Sequence, residues 1–173
     1  MSSLEELIKS IGDIAQFPIT LSRYDNERKL IYVNQTFCNL TGYSQDFCIE
    51  RNCKFLHGPE TDPEAIKSMR KAFDDKISVF QDIVNYKKNG EKFINRLVLL
   101  TFDYGNAKYI LGLQHEVEAV SEKTMHHGEL NDKLLNPLSS MLIFAEDVSE
   151  LDDYIIEKVR ERLSYIAAYI QNL

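Results

Sequence analysis

The sequence lacks a long apolar run, a basic tract and an even set of cysteines, and each absence argues against a class of protein. No apolar run reaches the roughly 18 residues that a membrane-spanning helix needs, and no basic region opens the chain, so we expect no membrane segment and no signal peptide. Acidic residues outnumber basic ones by 27 to 20, and the net charge of −7 argues against binding to nucleic acid or to an anionic membrane. Three cysteines in a chain of this size indicate free thiols and a cytoplasmic protein.

What is present is the composition of a soluble globular protein: 173 residues, of which 44% are hydrophobic and 27% are charged. This length fits one domain with a helical appendage. The hydrophobic pattern divides the chain into three segments. We predict an amphipathic cap helix at residues 1–17, a mixed domain at residues 18–117 and an α-helical hairpin at residues 118–173.

Residues 18–117 carry the alternating apolar pattern of strands on both sides of a helical stretch. A polar turn at residues 25–27 separates the first two strands, while Asn89-Gly90 and Gly105-Asn106 are turn sequences between the later ones. Asp62 is placed to cap the clearest helix. The predicted strands are residues 19–21, 29–33, 79–87, 92–102 and 108–115, and the predicted helices are residues 35–41, 44–49 and 63–76. This order predicts an α+β fold, with a five-stranded antiparallel sheet and helices on one face.

Residues beyond 116 are almost purely helical in pattern. Two runs with apolar residues at intervals of three and four are separated by a polar break at residues 147–153, which predicts a helical hairpin. A hairpin of this size cannot bury both of its faces against itself. We therefore expect a homodimer formed through a four-helix bundle, with docking back onto the sheet as the alternative.

Four amides and one cysteine stand out because of their surroundings. Asn85, Asn95 and Gln114 lie within otherwise apolar strand-like segments, and Asn52 directly precedes Cys53. A buried amide needs hydrogen-bond partners, since each lost bond costs about 1–3 kcal/mol, and it offers both a donor and an acceptor. Such a set suits a flat heterocycle that presents N–H and C=O side by side. Taken singly, each amide is more typical of a surface or a turn, and the other two cysteines read as small buried hydrophobes.

The segment around Cys53 resembles the light-oxygen-voltage (LOV) family, the flavin-binding blue-light sensors of the PAS superfamily. The family signature Gly-X-Asn-Cys-Arg-Phe-Leu-Gln-Gly, followed by Pro-Glu-Thr-Asp, is matched by residues 52–62, Asn-Cys-Lys-Phe-Leu-His-Gly-Pro-Glu-Thr-Asp. The resemblance continues through residues 83–95 and ends with Leu-Gly-Leu-Gln at residues 111–114. It covers roughly residues 18–117 and implies a PAS-type core that holds a flavin.

The resemblance implies that the cofactor is FMN, in preference to FAD or riboflavin, and it implies the reacting groups. Cys53 would be the photoactive thiol that forms a reversible bond to flavin carbon C4a after blue-light excitation. Asn85 and Asn95 would bond the pyrimidine edge of the ring. Gln114 would lie near N5 and O4, where its amide turns over and relays the signal. No metal site is implied.

The same resemblance implies contacts with the ribityl chain, the phosphate and the ring faces. Asn52 would hold the ribityl chain, and Arg70 would meet the phosphate with Lys54 as a second cation. Lys54 replaces the family arginine and loses its bidentate fork. His57 replaces the family glutamine at the ribityl or phosphate contact, which adds a titratable group there. The apolar walls of the ring would be Phe37, Leu97 and Leu99.

The tail resembles the dimerisation helices of histidine kinases in the run of residues 136–146, which contains Pro137. The phosphoacceptor histidine of those helices falls at Asp132 here, and no glycine-rich nucleotide loop follows in this sequence. We therefore expect no enzyme activity. An unrelated helical hairpin is the alternative, since many four-helix bundles share this periodicity.

Together these features predict a blue-light photoreceptor that signals through rearrangement of its C-terminal helices or of its dimer. The expected partner is a response regulator or a separate kinase. Two other functions remain open from the sequence. One is a redox or flavin-binding signalling protein in which Cys53 senses oxidants, and the other is a phosphotransfer protein that uses the helical bundle.

Overall fold

The computed structural model describes residues 8, 9, 12, 17–75, 78–104 and 106–118. The predicted cap helix at residues 1–17 lies outside this set except for four of its residues. The predicted helical hairpin lies outside it beyond residue 118. Among the described residues, no helix has both the length and the apolar character needed to cross a membrane.

The described chain is built on one five-stranded antiparallel sheet, as the sequence predicts. Its strands are β1 (Ile19–Arg23), β2 (Leu30–Val33), β3 (Val79–Tyr86), β4 (Lys92–Tyr104) and β5 (Ala107–Val117). Their order across the sheet is β2-β1-β5-β4-β3, so the last strand lies in the middle. The turn between β3 and β4 contains Gly90 at a φ of 85°, a conformation that favours glycine over other residues. The predicted Asn-Gly turn is therefore confirmed.

Four short helices connect β2 to β3. They are α1 (Gln35–Thr41), α2 (Gln45–Cys48), a 3₁₀ helix (Cys53–Leu56) and α3 (Pro63–Asp74). Each begins after a residue whose side chain accepts a backbone hydrogen bond from the first turn, and these capping residues are Asn34, Ser44, Asn52 and Asp62. The cap predicted at Asp62 is confirmed. The sequence did not predict the 3₁₀ helix, because four residues are too few to show a helical periodicity.

Asn34 joins three parts of the fold through its fully buried side chain. Its Oδ1 accepts hydrogen bonds from the backbone N–H of Ile19, at 2.9 Å, and from that of Phe37, at 3.0 Å. Its Nδ2 donates to the carbonyls of Gly12 and Phe17, at 3.1 and 2.9 Å. All the polar groups of this side chain are therefore used, as a buried amide requires. The contact fixes where the chain enters β1.

The helices lie against one face of the sheet, and strand register decides which residues point toward them. Thr20 pairs with Gly112, Leu97 with Gln114, and Ile83 with Asn95, so all of these residues share that face. The core contact there joins α3 to the sheet through Ala65, Met69, Phe73, Val79, Ile83 and Ile110. A second cluster joins β2 to the helices that directly follow it, through Leu30, Val33, Phe37, Cys38, Cys48 and Leu56. The α+β prediction with helices on one face is confirmed.

Candidate functional site

A cavity of about 1020 Å³ lies between the helices and this face of the sheet. Its volume is that of a small-molecule or cofactor site. Its walls come from β1, the β1–β2 loop, the 3₁₀ helix, α3 and the three strands β3, β4 and β5. Ten of the sequence-predicted site residues line it: Asn52, Cys53, Lys54, His57, Arg70, Asn85, Asn95, Leu97, Leu99 and Gln114.

Phe37, predicted as an apolar wall, does not line this cavity. It is completely buried in the cluster that contains Leu30, Val33 and Leu56. The reason is the start of α1, because the Asn34 cap sets the helix so that Phe37 packs toward β2. Leu97 and Leu99, the other two residues predicted as apolar walls, do line the cavity.

Two asparagines on neighbouring strands form the first part of the polar wall. Asn95 Nδ2 donates to Asn85 Oδ1 at 2.9 Å, and Asn85 Nδ2 donates to the carbonyl of Val84 at 3.1 Å. Both side chains are buried. Asn95 Oδ1 is buried and has no hydrogen-bond partner among the described residues. An unused buried acceptor costs about 1–3 kcal/mol, so this position is suited to a ligand N–H.

Gln114 forms the second part of the polar wall. Its Nε2 donates to the hydroxyl of Thr20 at 3.1 Å, and its Oε1 is buried with no partner in the described chain. Gly112 leaves room for this bond, because a Cβ at that position would collide with Thr20 Oγ1 and lie only 2.9 Å from Gln114 Nε2. The sequence analysis missed Thr20 and Gly112. Only the pairing of β1 with β5 reveals them.

Cys53 opens onto the same cavity as the first residue of the 3₁₀ helix. Asn52 fixes that helix: its Oδ1 accepts from Lys54 N at 3.0 Å, and its Nδ2 donates to the carbonyl of Glu27 at 2.7 Å. The thiol is half-buried, and burial, followed by the neighbouring Cys48, raises the pKa of Cys53 to about 12. The sulfur therefore keeps its proton at neutral pH.

The outer end of the cavity carries a net positive charge. It is lined by one carboxylate, Glu27, and by five cations, namely Arg28, Lys29, Arg51, Lys54 and Arg70. His57 lies among them, and burial, followed by the charge of Arg70, lowers the pKa of His57 below its usual value. The sequence analysis missed Arg28, Lys29 and Arg51, because isolated surface cations carry no signal of their own in a sequence.

The polarity and charge of the cavity lining therefore change from one end to the other. Buried amides, two of them with unused carbonyl oxygens, lie at its inner end, the leucines of β4 form an apolar wall, and cations, three of them exposed, surround its opening. A protonated thiol faces the space between them. Such a site fits a flat, partly apolar heterocycle that has polar groups along one edge and carries an anionic group at its other end.

Comparison with known sequences places this geometry in context. Residues 17–119 match the PAS domain family. The chain is 36% identical over 131 residues to a protein of Brucella anthropi named blue-light-activated histidine kinase. That match covers 76% of this chain and 26% of the relative. The chain thus spans about a quarter of the length of the curated relatives it matches.

Comparison with solved structures gives the same picture. The LOV domain of the Erythrobacter litoralis blue-light activated histidine kinase superposes with a TM-score of 0.56 at 34% identity, covering 59% of this chain and 96% of that one. The light-state dimer of the fungal blue-light photoreceptor Vivid superposes with a TM-score of 0.54 at 29% identity, covering 58% of this chain and 77% of that one.

Proposed function

This chain belongs to the PAS domain family, with a sensor domain of the LOV type, and we propose that it is a blue-light photoreceptor that holds a flavin in the cavity described above. LOV domains bind a flavin chromophore. One observation carries the proposal. The amides of Asn85, Asn95 and Gln114 face the same cavity as the thiol of Cys53, and two of their buried carbonyl oxygens have no partner among the described residues.

The flavin, when bound, supplies blue-light absorption and an electrophilic carbon, C4a, next to the basic nitrogen N5. Cys53 would supply both the sulfur and the proton for a reversible bond to C4a: its Sγ would bond to that carbon as its S–H bond breaks, with N5 as the acceptor of the proton. Return of the proton to the sulfur would restore the free thiol in darkness. The raised pKa of Cys53 supports this role, since the thiol keeps its proton until light arrives.

Gln114 would sense that proton transfer. Flavin N5 would be a hydrogen-bond acceptor before the reaction and a donor after it, so the amide would exchange its NH2 for its carbonyl at that position. Thr20 supports the exchange because a hydroxyl is both donor and acceptor. Its Oγ1 accepts from Gln114 Nε2 in the present structure and can donate to Oε1 after the turn. The event thus changes a contact between β1 and β5.

We assign FMN as the flavin, in preference to FAD or riboflavin, because of the cations at the outer end of the cavity. A terminal phosphate carries a charge of about −1.5 to −2 at neutral pH and has three acceptor oxygens. Arg70 and Lys54 both line the opening and are exposed there. Release of the bound flavin by heat and its identification by chromatography tests this assignment.

The output of the sensor is assigned to residues 118–173. Relatives of this chain are histidine kinases, and Vivid forms a light-state dimer. By analogy, the chain forms a homodimer through its C-terminal helices and acts in the cytoplasm on a response regulator or a separate kinase. It has no kinase activity of its own, since the position of the phosphoacceptor histidine holds Asp132.

An absorbance spectrum of the purified chain, recorded before and after blue illumination, tests the photochemistry. We expect a yellow protein whose visible band bleaches in light and recovers in darkness. Cys53→Ala should still bind flavin but should not bleach. Cys38→Ala is the matched control, because Cys38 is buried in a core cluster and does not itself line the cavity, and it should bleach normally.

Two results would contradict this proposal in different ways. A yellow chain that does not bleach would favour a redox or flavin-binding signalling role. A colourless chain that takes up neither FMN nor riboflavin would remove the flavin altogether.

A further inference from the structure

The β1–β2 loop at residues 25–29 forms one side of the cavity opening. Asp25 Oδ1 shapes the loop by accepting from the backbone N–H of Glu27, at 2.9 Å, and of Arg28, at 2.7 Å. Asn52 Nδ2 then ties the loop to the start of the 3₁₀ helix through its 2.7 Å bond to the Glu27 carbonyl. The loop therefore has a fixed position relative to Cys53.

Arg28 occupies an unusual backbone position in this loop. Its φ is 49°, in the left-handed region that residues other than glycine rarely adopt. Such conformations persist where surrounding contacts enforce them, and they are frequent at ligand sites. Here the bonds from Asp25 and Asn52 supply the enforcing contacts. The chain holds Arg28 in place despite this strain.

The side chain of Arg28 is held at the cavity with part of its hydrogen-bonding capacity unused. Its guanidinium lies 4.9 Å from the centre of the Phe73 ring. Its Nη2 is 3.7 Å from Asp74 Oδ1, and that aspartate side chain is 76% exposed, so the ion pair is weak. Its Nε is buried and has no hydrogen-bond partner among the described residues. The guanidinium thus has an unused donor.

Arg28 also contacts the part of α3 that carries Arg70. Phe73 and Asp74, the two residues that Arg28 contacts, follow Arg70 by three and four positions on α3. Residues at these spacings are neighbours on one side of a helix, about 5–6 Å apart. Both arginines line the cavity. Two like charges that line one opening repel each other, and an anion bound between them offsets that repulsion.

We infer that Arg28 is a phosphate-binding residue that acts with Arg70 to select phosphorylated flavin over riboflavin. This inference rests on the proposed function. Lys29, the next cation in the loop, does not share the role, because its Nζ lies 2.7 Å from Glu27 Oε2 and its charge is already paired. Arg28 is suited to phosphate because a guanidinium fork matches two phosphate oxygens, and a phosphate would use the free Nε.

Titration of the flavin-free full chain with FMN and with riboflavin, followed by quenching of flavin fluorescence, tests this inference. Riboflavin has the same ring and ribityl chain and lacks the phosphate. We expect Arg28→Gln to weaken FMN binding by about tenfold to a hundredfold, the effect of one charge-assisted hydrogen bond, and to leave riboflavin binding unchanged. Lys67→Gln is the matched control. It removes the same charge from α3 outside the cavity, where Lys67 pairs with Glu64, and it should change neither affinity.

The outcomes separate the possible roles. Equal loss of FMN and riboflavin binding would make Arg28 a purely structural residue, and unchanged FMN binding would also overturn the inference. If Arg28→Gln does not fold, Arg28→Lys keeps the positive charge and removes the fork, and an undiminished preference for FMN would then refute it. Failure of the unaltered chain to bind either flavin would instead refute the proposed function.

Discussion

The protonation state of Cys53 gives a prediction that can be tested without any flavin. Burial and Cys48 raise the pKa of this thiol from 9.0 to about 12. This higher pKa lowers the thiolate fraction at neutral pH by about a thousandfold, and only the thiolate attacks alkylating reagents. A more basic thiolate is also a better nucleophile. For a Brønsted slope of 0.4–0.5, the greater nucleophilicity raises the reaction rate by about 16- to 32-fold and offsets part of that loss. Cys53 should therefore react about 30- to 60-fold more slowly than an ordinary cysteine.

The assay is alkylation of the flavin-free chain with iodoacetamide, with the modified peptides resolved by mass spectrometry so that the three cysteines are counted separately. An unstructured peptide containing residues 50–56 provides the reference rate. The rate at Cys53 should keep rising with pH through the range, around pH 9, in which the reference levels off. Labelling of the denatured chain controls for access to the reagent.

The opposite result would refute the reasoning. If Cys53 reacts at neutral pH as fast as the peptide, or its rate levels off near neutrality, the protein stabilises the thiolate. A stabilised thiolate is the form that peroxides oxidise to a sulfenic acid, so that outcome would favour the oxidant-sensing alternative. A slow reaction supports a thiol that keeps its proton for transfer to N5.

Three further predictions concern other parts of the site and the sheet. Gln114→Leu should leave the bleach intact but abolish any light-dependent change in elution volume, and an unchanged light response would exclude the amide turn. Asp82 binds the buried Arg96 through two hydrogen bonds of 2.9 and 2.8 Å, so Asp82→Asn leaves that arginine without its counter-charge. The variant should lose about 3–5 kcal/mol of unfolding free energy, measured by urea denaturation. A loss below about 1 kcal/mol would contradict this expectation. The pKa of His57 is lowered by burial and then by Arg70, so the unfolded state binds more protons and stability should fall as pH drops through about 6.5. His57→Gln should flatten this dependence of stability on pH. An unchanged pH profile in that variant would show that His57 does not cause it.

Local signals in the sequence account for most of the fold. The strands carry enough alternating apolar residues to be recognised, and the Asp62 cap and the turn at Gly90 both have short-range causes. The motif at residues 52–62 carries the resemblance to a family, and that resemblance predicted that residues far apart in the chain belong to one site. Asn85, Asn95 and Gln114 meet in one cavity because three strands pair in one register, which no local pattern encodes.

The residues that sequence reasoning missed all depend on tertiary contacts. Thr20 bonds to Gln114 across 94 positions of chain, and it could be found only once β1 was known to pair with β5. Phe37 was expected in the cavity because its neighbours match the family, but the capping of α1 directs it into the core. Arg28 looks like any surface cation until its backbone strain and unused Nε are seen.

If the Gln114 amide turns over as proposed, the energy available from that turn limits how far one copy of the sensor can switch. Thr20 can pair with either orientation of the amide, so the contact across β1 and β5 changes its polarity and keeps its hydrogen bond. One remade bond contributes about 0.5–1.5 kcal/mol net, a shift of about two- to tenfold in a two-state equilibrium. Complete switching from 1:99 to 99:1 needs about 5.5 kcal/mol. Under the proposed mechanism, a single domain would therefore shift its population only in part. Two domains coupled in a dimer would combine their contributions and respond more sharply, which is the energetic reason to expect the output to depend on a dimer.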